Sequence, residues 1–235
     1  MSDIPRIFTP EYYDEEYFVG KKGGKRFRRP NGSINQWSYY NPTGEWLGCK
    51  PIVEAWKKIF NPRNLLDCGC GRGTFVAYAR DIGIEAYGFD FSKWAIYNHY
   101  PRCENSWLQV ADVRYIPFKD NSFDLVVALD LMEHIYIDDV DQVISEIFRV
   151  CKKYAFFEIA TSERGFIIRR GEKIPVELEA NAVAGHVTVQ PKEFWIEKFE
   201  EYDWFVRRDL EHYFRALVPP EVLRNWNCII ILEKW

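Results

Sequence analysis

The stretch Leu65-Leu-Asp-Cys-Gly-Cys-Gly-Arg-Gly-Thr-Phe75 decides the fold. It begins with a short apolar run and ends where a helix-forming segment starts, so it predicts a buried strand, a tight turn and a helix. Alternating glycines permit the turn and let a ligand approach the backbone with no Cβ in the way. Two cysteines in the same run raise a second interpretation, in which they form a metal or redox pair.

The spacing of the glycines can be compared with the patterns of known ligand-binding loops. A Walker loop requires a lysine after its glycines, and none follows here. A dinucleotide fingerprint counted from Gly69 requires glycine where Thr74 stands. What remains is an acid, Asp67, two residues ahead of the first of three alternating glycines. The cysteines occupy the variable positions between them, and two thiols are too few for a closed zinc site, so we expect free thiols.

Composition limits the class of protein. The chain has 235 residues, 47% of them hydrophobic, and a net charge of −4. This is the composition of a globular protein, and the negative charge argues against a grip on nucleic acid by the whole surface. The apolar runs are of strand length and the first residues are acidic, so neither a membrane span nor a signal peptide is predicted. We expect a cytoplasmic protein.

From residue 51 onward, strand-like and helix-like segments alternate. That alternation predicts an α/β, Rossmann-like doubly wound sheet whose strands end at one ligand-binding edge. At the end of the chain, WFVRRDLEHYF and NWNCIIILEKW suggest a hairpin-like pair of strands. We divide the chain into an aromatic and basic arm or lid, 1–50, and a main domain, 51–235. Within the domain, 162–191 is too long for a plain connection and is predicted to be a substrate-side insertion.

Four stretches together resemble one family. LLDCGCGRGTF resembles the first motif of the class I S-adenosylmethionine-dependent methyltransferases, and AYGFDFS, VADVRYIPF and SFDLVVALDLMEHI resemble the next three in that family's order. The last is in the style of its small-molecule enzymes, of the methyltransferase type 11 kind. The resemblance covers about residues 50–160. It implies seven strands in the order 3-2-1-4-5-7-6, mostly parallel with an antiparallel last strand. It also implies S-adenosylmethionine as cofactor, S-adenosylhomocysteine as product, and no metal.

The resemblance implies roles for several acids, each with an alternative. Asp90 would bind the ribose hydroxyls, or else cap the next helix. Asp112 and the backbone of Val113 would meet the adenine, or else Asp112 is a solvated turn acid. Asp67 would reach the amino end of the methionine moiety, or only brace the turn. The predicted cofactor-binding residues are Asp67, Gly69, Cys70, Gly71, Asp90, Phe91, Ser92, Asp112, Val113, Leu129 and Asp130.

Candidates for acceptor chemistry follow the fourth strand and lie on the insertion. Methyl transfer requires an acceptor held near attack distance, and sometimes a general base. Asp130, Glu133 and His134 lie at the strand edge, and His134 titrates near neutral pH. His186 on the insertion is a second histidine candidate. Either histidine could instead only fix its own loop. The predicted catalytic residues are His134, Asp130 and His186.

The leading hypothesis is methyl transfer to an oxygen or nitrogen of a small molecule or glycan. An alternative acceptor is RNA or protein, with nucleic acid held by the basic stretch from Lys21 to Arg29, which is otherwise a solvated loop. A different class of function is a non-catalytic Rossmann-like module, with the aromatic N-terminal region as its interface.

Overall fold

The computed structural model describes residues 8–18, 26–28, 34–36, 48–161, 166–169, 172–175, 186–223 and 228–235. The helices are α1 (Glu15–Phe18), α2 (Cys49–Phe60), α3 (Thr74–Asp81), α4 (Lys93–Tyr97), α5 (Val140–Val150), α6 (Lys192–Glu200) and α7 (Arg208–Leu217). The strands are β1 (Arg26–Arg28), β2 (Ile34–Gln36), β3 (Asn64–Cys68), β4 (Glu85–Asp90), β5 (Leu108–Val110), β6 (Phe123–Leu129), β7 (Cys151–Ile159), β8 (Phe166–Arg169), β9 (Glu172–Pro175), β10 (Trp204–Val206) and β11 (Cys228–Lys234).

The main sheet has seven strands in the order β10-β11-β7-β6-β3-β4-β5. The five strands from β7 to β5 run parallel, β11 is antiparallel to β7, and β10 is antiparallel to β11. Numbered along the chain within this sheet, the order is 3-2-1-4-5-7-6, which confirms the predicted fold class. Because β3, β4 and β6 are parallel neighbours, the residues that follow them meet at one edge.

The sheet is buried on both faces. Trp56, Val76 and Phe156 lie in the cluster on one face, and Phe89 and Trp195 lie in the cluster on the other. The two loop cysteines belong to different clusters, Cys68 to the second and Cys70 to the first. The six cysteines are buried and carry no disulfide, which confirms the prediction of free thiols. The cysteines of the glycine loop are therefore packing residues.

The C-terminal region differs from the prediction. The sequence WFVRRDLEHYF was interpreted as a strand, but only Trp204–Val206 is extended, and Arg208–Leu217 forms α7. Phe214 is fully buried, and Leu210 and Leu217 pack beside it. Their spacing of four and three residues is that of one helix face, so this part of the sequence carries a helical period and the prediction of a strand is wrong for it. The two predicted strands are antiparallel neighbours, but α7 connects them.

Several predictions fall on parts of the chain that the structure describes incompletely. Of the basic stretch from Lys21 to Arg29 only the strand β1 is described, so the predicted nucleic-acid contact lies largely outside the described residues. Of the insertion, β8, β9 and residues 186–191 are described. Among the described helices, none has the length and apolar character that crossing a membrane requires.

Candidate functional site

The loop between β3 and α3 is closed by its own backbone. The amides of Gly69 and Cys70 both donate to the carbonyl of Phe89, each at 2.9 Å, and the Gly73 amide donates to the Cys70 carbonyl at 2.9 Å. The φ angles of Gly69, Gly71 and Gly73 are +74°, +52° and +79°, in the left-handed region that favours glycine. The glycines therefore serve the turn itself, and the turn places the start of α3 beside the end of β4.

Asp90, the last residue of β4, connects this loop to the next one. Its carboxylate accepts hydrogen bonds from the Gly71 amide at 2.8 Å and from the Ser92 amide at 2.7 Å, through one oxygen each. Burial raises the pKa of Asp90 to about 6. Each carboxylate oxygen has two lone pairs, so the group retains acceptor capacity for a ligand's hydroxyl groups. The N-cap of the next helix is Ser92 and not Asp90, and the geometry of Asp90 is compatible with its predicted role as a ribose ligand.

Asp67 lies beneath the loop, in β3. The residue is 2% exposed, and among the described residues its Oδ2 atom has no hydrogen-bond partner. Burial, followed by the nearby charge of Asp90, raises the pKa of Asp67 to about 8. A buried oxygen without a donor is costly, and a bound cationic ligand group would supply one.

Asp112 follows β5 and is held by Arg114, which is not among the predicted site residues. The Arg114 guanidinium donates to both Asp112 oxygens, from Nε at 3.0 and 3.1 Å and from Nη2 at 2.6 Å, and Arg114 also contacts Asp139 at 3.1 Å. Val113 is buried and Phe91 is half-buried. The arginine fixes the Asp112 carboxylate at the sheet edge. The contacts of Asp112, Val113 and Phe91 to an adenine stay predictions.

Two other predicted cofactor residues are engaged within the fold. Cys70 packs into the core, where a Cβ on Gly88 would lie 2.7 Å from the Cys70 Cβ. Ser92 is the N-cap of α4, because its Oγ accepts from the Ala95 amide at 3.0 Å. The same hydroxyl donates to the carbonyl of Tyr13. The side chains of Cys70 and Ser92 are therefore already engaged within the protein and do not support a direct contact with a cofactor. Such contacts stay predictions.

Acidic side chains gather at the end of β6. Leu129 is half-buried, and Asp130 after it is exposed and adopts a left-handed φ of +49°. Beyond it, Glu133 is fully buried in the turn Met132–His134, and Glu158 of β7 is 3% exposed. Burial, and then the charge of Asp130, raises the pKa of both glutamates. Glu158 was not among the predicted residues, although an acid inside the apolar run YAFFEIAT was a signal that could have found it.

Comparisons with known proteins match this part of the chain. Residues 66–159 match the family described as "Methyltransferase domain". Norajmaline N-methyltransferase of Rauvolfia serpentina is 33% identical over 101 residues, 38% of this chain and 32% of that protein. The 2-phytyl-1,4-naphtoquinone methyltransferase of Nostoc punctiforme is 28% identical over 129 residues, 48% of this chain and 55% of that protein. The chain thus spans about a third to just over half of the length of these curated relatives.

A solved structure matches over a larger share. The PH0226 protein from Pyrococcus horikoshii OT3 has a TM-score of 0.55 at 17% identity, covering 83% of this chain and 95% of that chain. The family match runs from β3 to β7, so it contains the glycine loop and the acids that follow β4, β5 and β6. The chain carries a class I S-adenosylmethionine-dependent methyltransferase domain.

The N-terminal segment 8–18 packs across the edge of the methyltransferase domain. The Tyr13 carbonyl accepts from Ser92 after β4, and the Tyr13 hydroxyl lies 3.2 Å from Nδ1 of His134 after β6. Phe18 stacks on Trp94, with ring centroids 5.8 Å apart. Since β3 lies between β4 and β6 in the sheet, the segment crosses the end of β3, where the glycine loop begins.

The insertion reaches the methyltransferase domain at the same edge. The amides of Val187 and Thr188 donate to the Glu133 carbonyl at 2.8 and 3.0 Å, and this brings His186 against His134 with ring centroids 4.7 Å apart. Burial lowers the pKa of His186 to about 4. The two histidines selected from the sequence therefore lie side by side, together with Glu133 and close to the turn that follows Asp130.

Proposed function

We propose that the methyltransferase domain transfers a methyl group from S-adenosylmethionine to an oxygen or nitrogen of a small molecule or sugar. When bound, the cofactor supplies the electrophilic methyl group. The observation that carries the proposal is the pair Asp67 and Asp90 at the glycine loop, one with an unpartnered buried oxygen and the other with remaining lone pairs. Asp67 suits the ammonium of the methionine moiety, and Asp90 suits two vicinal hydroxyls of a ribose.

The proposed acceptor is small and polar. Asp130, His134 and His186 follow β6 or reach its end, beside the loop that would hold the cofactor. These side chains can bind a hydroxyl or amino group and, in the case of the histidines, exchange a proton. The related proteins named for N-methylation and for a naphthoquinone support a small-molecule acceptor. The N-terminal segment 8–18 is proposed to exclude water from this edge.

Titration calorimetry with S-adenosylmethionine tests the cofactor half of the proposal. We expect the wild-type protein to bind it, and Asp90→Ala to bind at least about 10-fold more weakly, because hydrogen bonds to a charged group contribute roughly 1.5–3 kcal/mol. Asp81→Ala is the matched control, since Asp81 is an exposed acid at the other end of α3. We expect its affinity to stay within about twofold of wild type.

The substitution at Asp90 also removes the acceptor of the Gly71 amide, so folding is checked separately. Asp90→Asn keeps an acceptor oxygen for only one of the two amides that Asp90 binds, so thermal unfolding is measured for both variants to show that they are folded at the temperature of the titration. Absence of binding by the wild-type protein, or equal binding by a folded Asp90→Ala protein, would overturn the proposal. Methylation assays with radiolabelled cofactor across hydroxyl and amine acceptors then test the acceptor half.

A further inference from the structure

Three side chains from two distant parts of the chain converge beside the acceptor edge. Glu133 and His134 come from the turn after β6, and His186 comes from the segment before α6. One donor atom from each, a carboxylate oxygen and two imidazole nitrogens, lie within 4.8 Å of one another. Tetrahedral zinc bonds of about 2.0–2.2 Å hold ligand atoms roughly 3.3–3.6 Å apart, so small side-chain rotations bring these three atoms to one ion.

The convergence is built into the backbone. The Glu133 carbonyl accepts two amide hydrogen bonds from Val187 and Thr188, and the Thr188 hydroxyl donates to the Ile135 carbonyl at 2.6 Å. These bonds fix the insertion to the turn immediately after His186. The histidine rings are nearly perpendicular, at 86°. The main chain therefore holds the backbone of His186 beside the turn that carries Glu133 and His134.

Glu133 carries the observation that points to a ligand. Its side chain is fully buried, its Oε1 accepts from the Ala160 amide at 3.2 Å, and among the described residues Oε2 has no hydrogen-bond partner. Glu158 is buried nearby, with the carboxylate of Asp130 beside both. A buried carboxyl group either takes up a proton or is paired with a cation. A cation at Oε2 would stabilise the charged form of Glu133.

We propose that Glu133, His134 and His186 bind a divalent transition-metal ion, with Zn²⁺ as the first expectation. Two imidazoles and one carboxylate suit zinc, iron or cobalt, whereas magnesium and calcium prefer oxygen ligands. Three protein ligands leave a coordination position for another molecule. The family resemblance implies no metal, and no local motif indicates this site because its ligands are on separate segments of the chain.

The surroundings of His134 fit such a site. The Tyr13 hydroxyl lies 3.2 Å from Nδ1 of His134 and can accept a hydrogen bond from it, which puts the lone pair on Nε2. His134 is half-buried and Asp130 is exposed, so the site is accessible from the sheet edge. Binding of the ion does not depend on the proposed function. If the ion also orients the acceptor, by binding a lone pair of the acceptor atom, that role rests on the proposed function.

Cobalt titration of the untagged, chelator-treated full chain tests the inference. Binding of Co²⁺ to imidazole ligands gives visible absorption bands that report on the ligand set directly. We expect one Co²⁺ per chain, displaced by Zn²⁺, and a higher thermal unfolding midpoint with metal bound. His186→Ala and His134→Ala should each bind at least about 10-fold more weakly, as loss of even an outer-sphere partner costs that much.

His212→Ala is the matched control, because the chain has four histidines and His212 is exposed on α7. It should bind Co²⁺ like wild type. Glu133→Gln keeps the volume and the bond from Ala160 but loses the charge, and it should also bind more weakly. Equal Co²⁺ affinity in His212→Ala and in a folded His186→Ala protein, or no binding by wild type, would overturn the inference. Calorimetry with S-adenosylmethionine separates the two proposals, since cofactor binding without metal binding leaves only the proposed function standing.

Discussion

Asp67 and Asp90 show how one small region combines structural and ligand-binding demands. Both carboxylates lie at the glycine loop, and the charge of Asp90 adds to the effect of burial on Asp67. Asp90 accepts amide hydrogen bonds, which lower its pKa against the larger effect of its own burial. Asp67 has no such compensation at Oδ2. Because a charge on buried Asp67 is costly, the stability of the ligand-free protein should depend on pH.

The contribution of Asp67 to the free energy of unfolding should fall as the pH rises. In the folded protein the pKa of Asp67 is about 8, whereas in the unfolded chain it is ~4. The folded protein holds the Asp67 proton more tightly than the unfolded chain does. The contribution of this proton to the free energy of unfolding is complete below the pKa of the unfolded chain and is lost as the pH rises towards the pKa of the folded protein. We expect a loss of a few kcal/mol between about pH 5 and pH 8. Urea unfolding at several pH values measures it.

Asp67→Asn should make this slope shallower by the share of one carboxyl group, because the amide has nearly the same shape and does not titrate. Asp90, Glu133 and Glu158, whose pKa values burial also raises, keep their own shares. Asp81→Asn, at an exposed acid, should leave the slope as in wild type. Equal slopes in the wild-type and Asp67→Asn proteins would contradict the assignment of the pH dependence to Asp67. The thiols are buried and neutral over this range, since burial raises the pKa values of Cys68 and Cys70.

At the scale of elements, the junction of β3 and α3 has little room for change. Gly73 precedes α3 with a φ of +79°, and a Cβ there would lie 2.8 Å from a methyl of Leu108 and 2.9 Å from Sγ of Cys103. Both neighbours are buried, and the Cys103 thiol donates to the Gly73 carbonyl. The loop is therefore fixed by packing against β5 as well as by its own hydrogen bonds.

A pair of glycine substitutions isolates that packing. Gly83 has nearly the same φ, +77°, but a Cβ there would have no atom within 4 Å. Alanine at either position incurs a backbone cost of about 1–2 kcal/mol, and only Gly73→Ala adds crowding worth ~1–3 kcal/mol. Urea unfolding should show Gly73→Ala less stable than Gly83→Ala, and calorimetry should show weaker S-adenosylmethionine binding for Gly73→Ala alone. Equal stability would contradict the crowding.

For the whole molecule, the N-terminal segment 8–18 connects parts of the sheet edge that belong to separate βα units. Its aromatic side chains pack on α4, with Tyr17 and Phe18 buried, and its backbone and hydroxyl groups bind Ser92 and His134. The cluster of Tyr17, Phe18 and Ala95 is small beside the two clusters that cover the sheet. Loosening it should affect cofactor binding without unfolding the domain.

Phe18→Ala should release the segment. It removes a buried ring that stacks on Trp94, and we expect faster hydrogen exchange across 8–18 and several-fold weaker binding of S-adenosylmethionine. Phe205→Ala is the control, because Phe205 is 54% exposed on β10 at the far edge of the sheet. It should leave both measurements unchanged. Unchanged exchange in Phe18→Ala would show that the segment is held by other contacts.

The sequence by itself determined the parts of this protein that depend on neighbouring residues. The alternation of apolar periods predicts the doubly wound sheet, and the glycines after Asp67 predict the loop. Ser92, one residue before α4, is a typical N-cap residue. These features are predictable because backbone preference and periodicity act within a few residues. The helix α7 shows the limit of such a prediction, since its short helical period also suits a strand.

Only the tertiary structure decided which distant side chains share a site. His186 contacts His134, and the N-terminal segment contacts the sheet edge. The charge of Glu133 acts on Glu158. Each of these interactions joins residues that are far apart along the chain. No local period encodes such a pairing, because it is set by the strand order and by where each connection returns to the edge. The cofactor loop was therefore predictable from its own residues, whereas the proposed metal site exists only once the insertion is docked on the turn after β6.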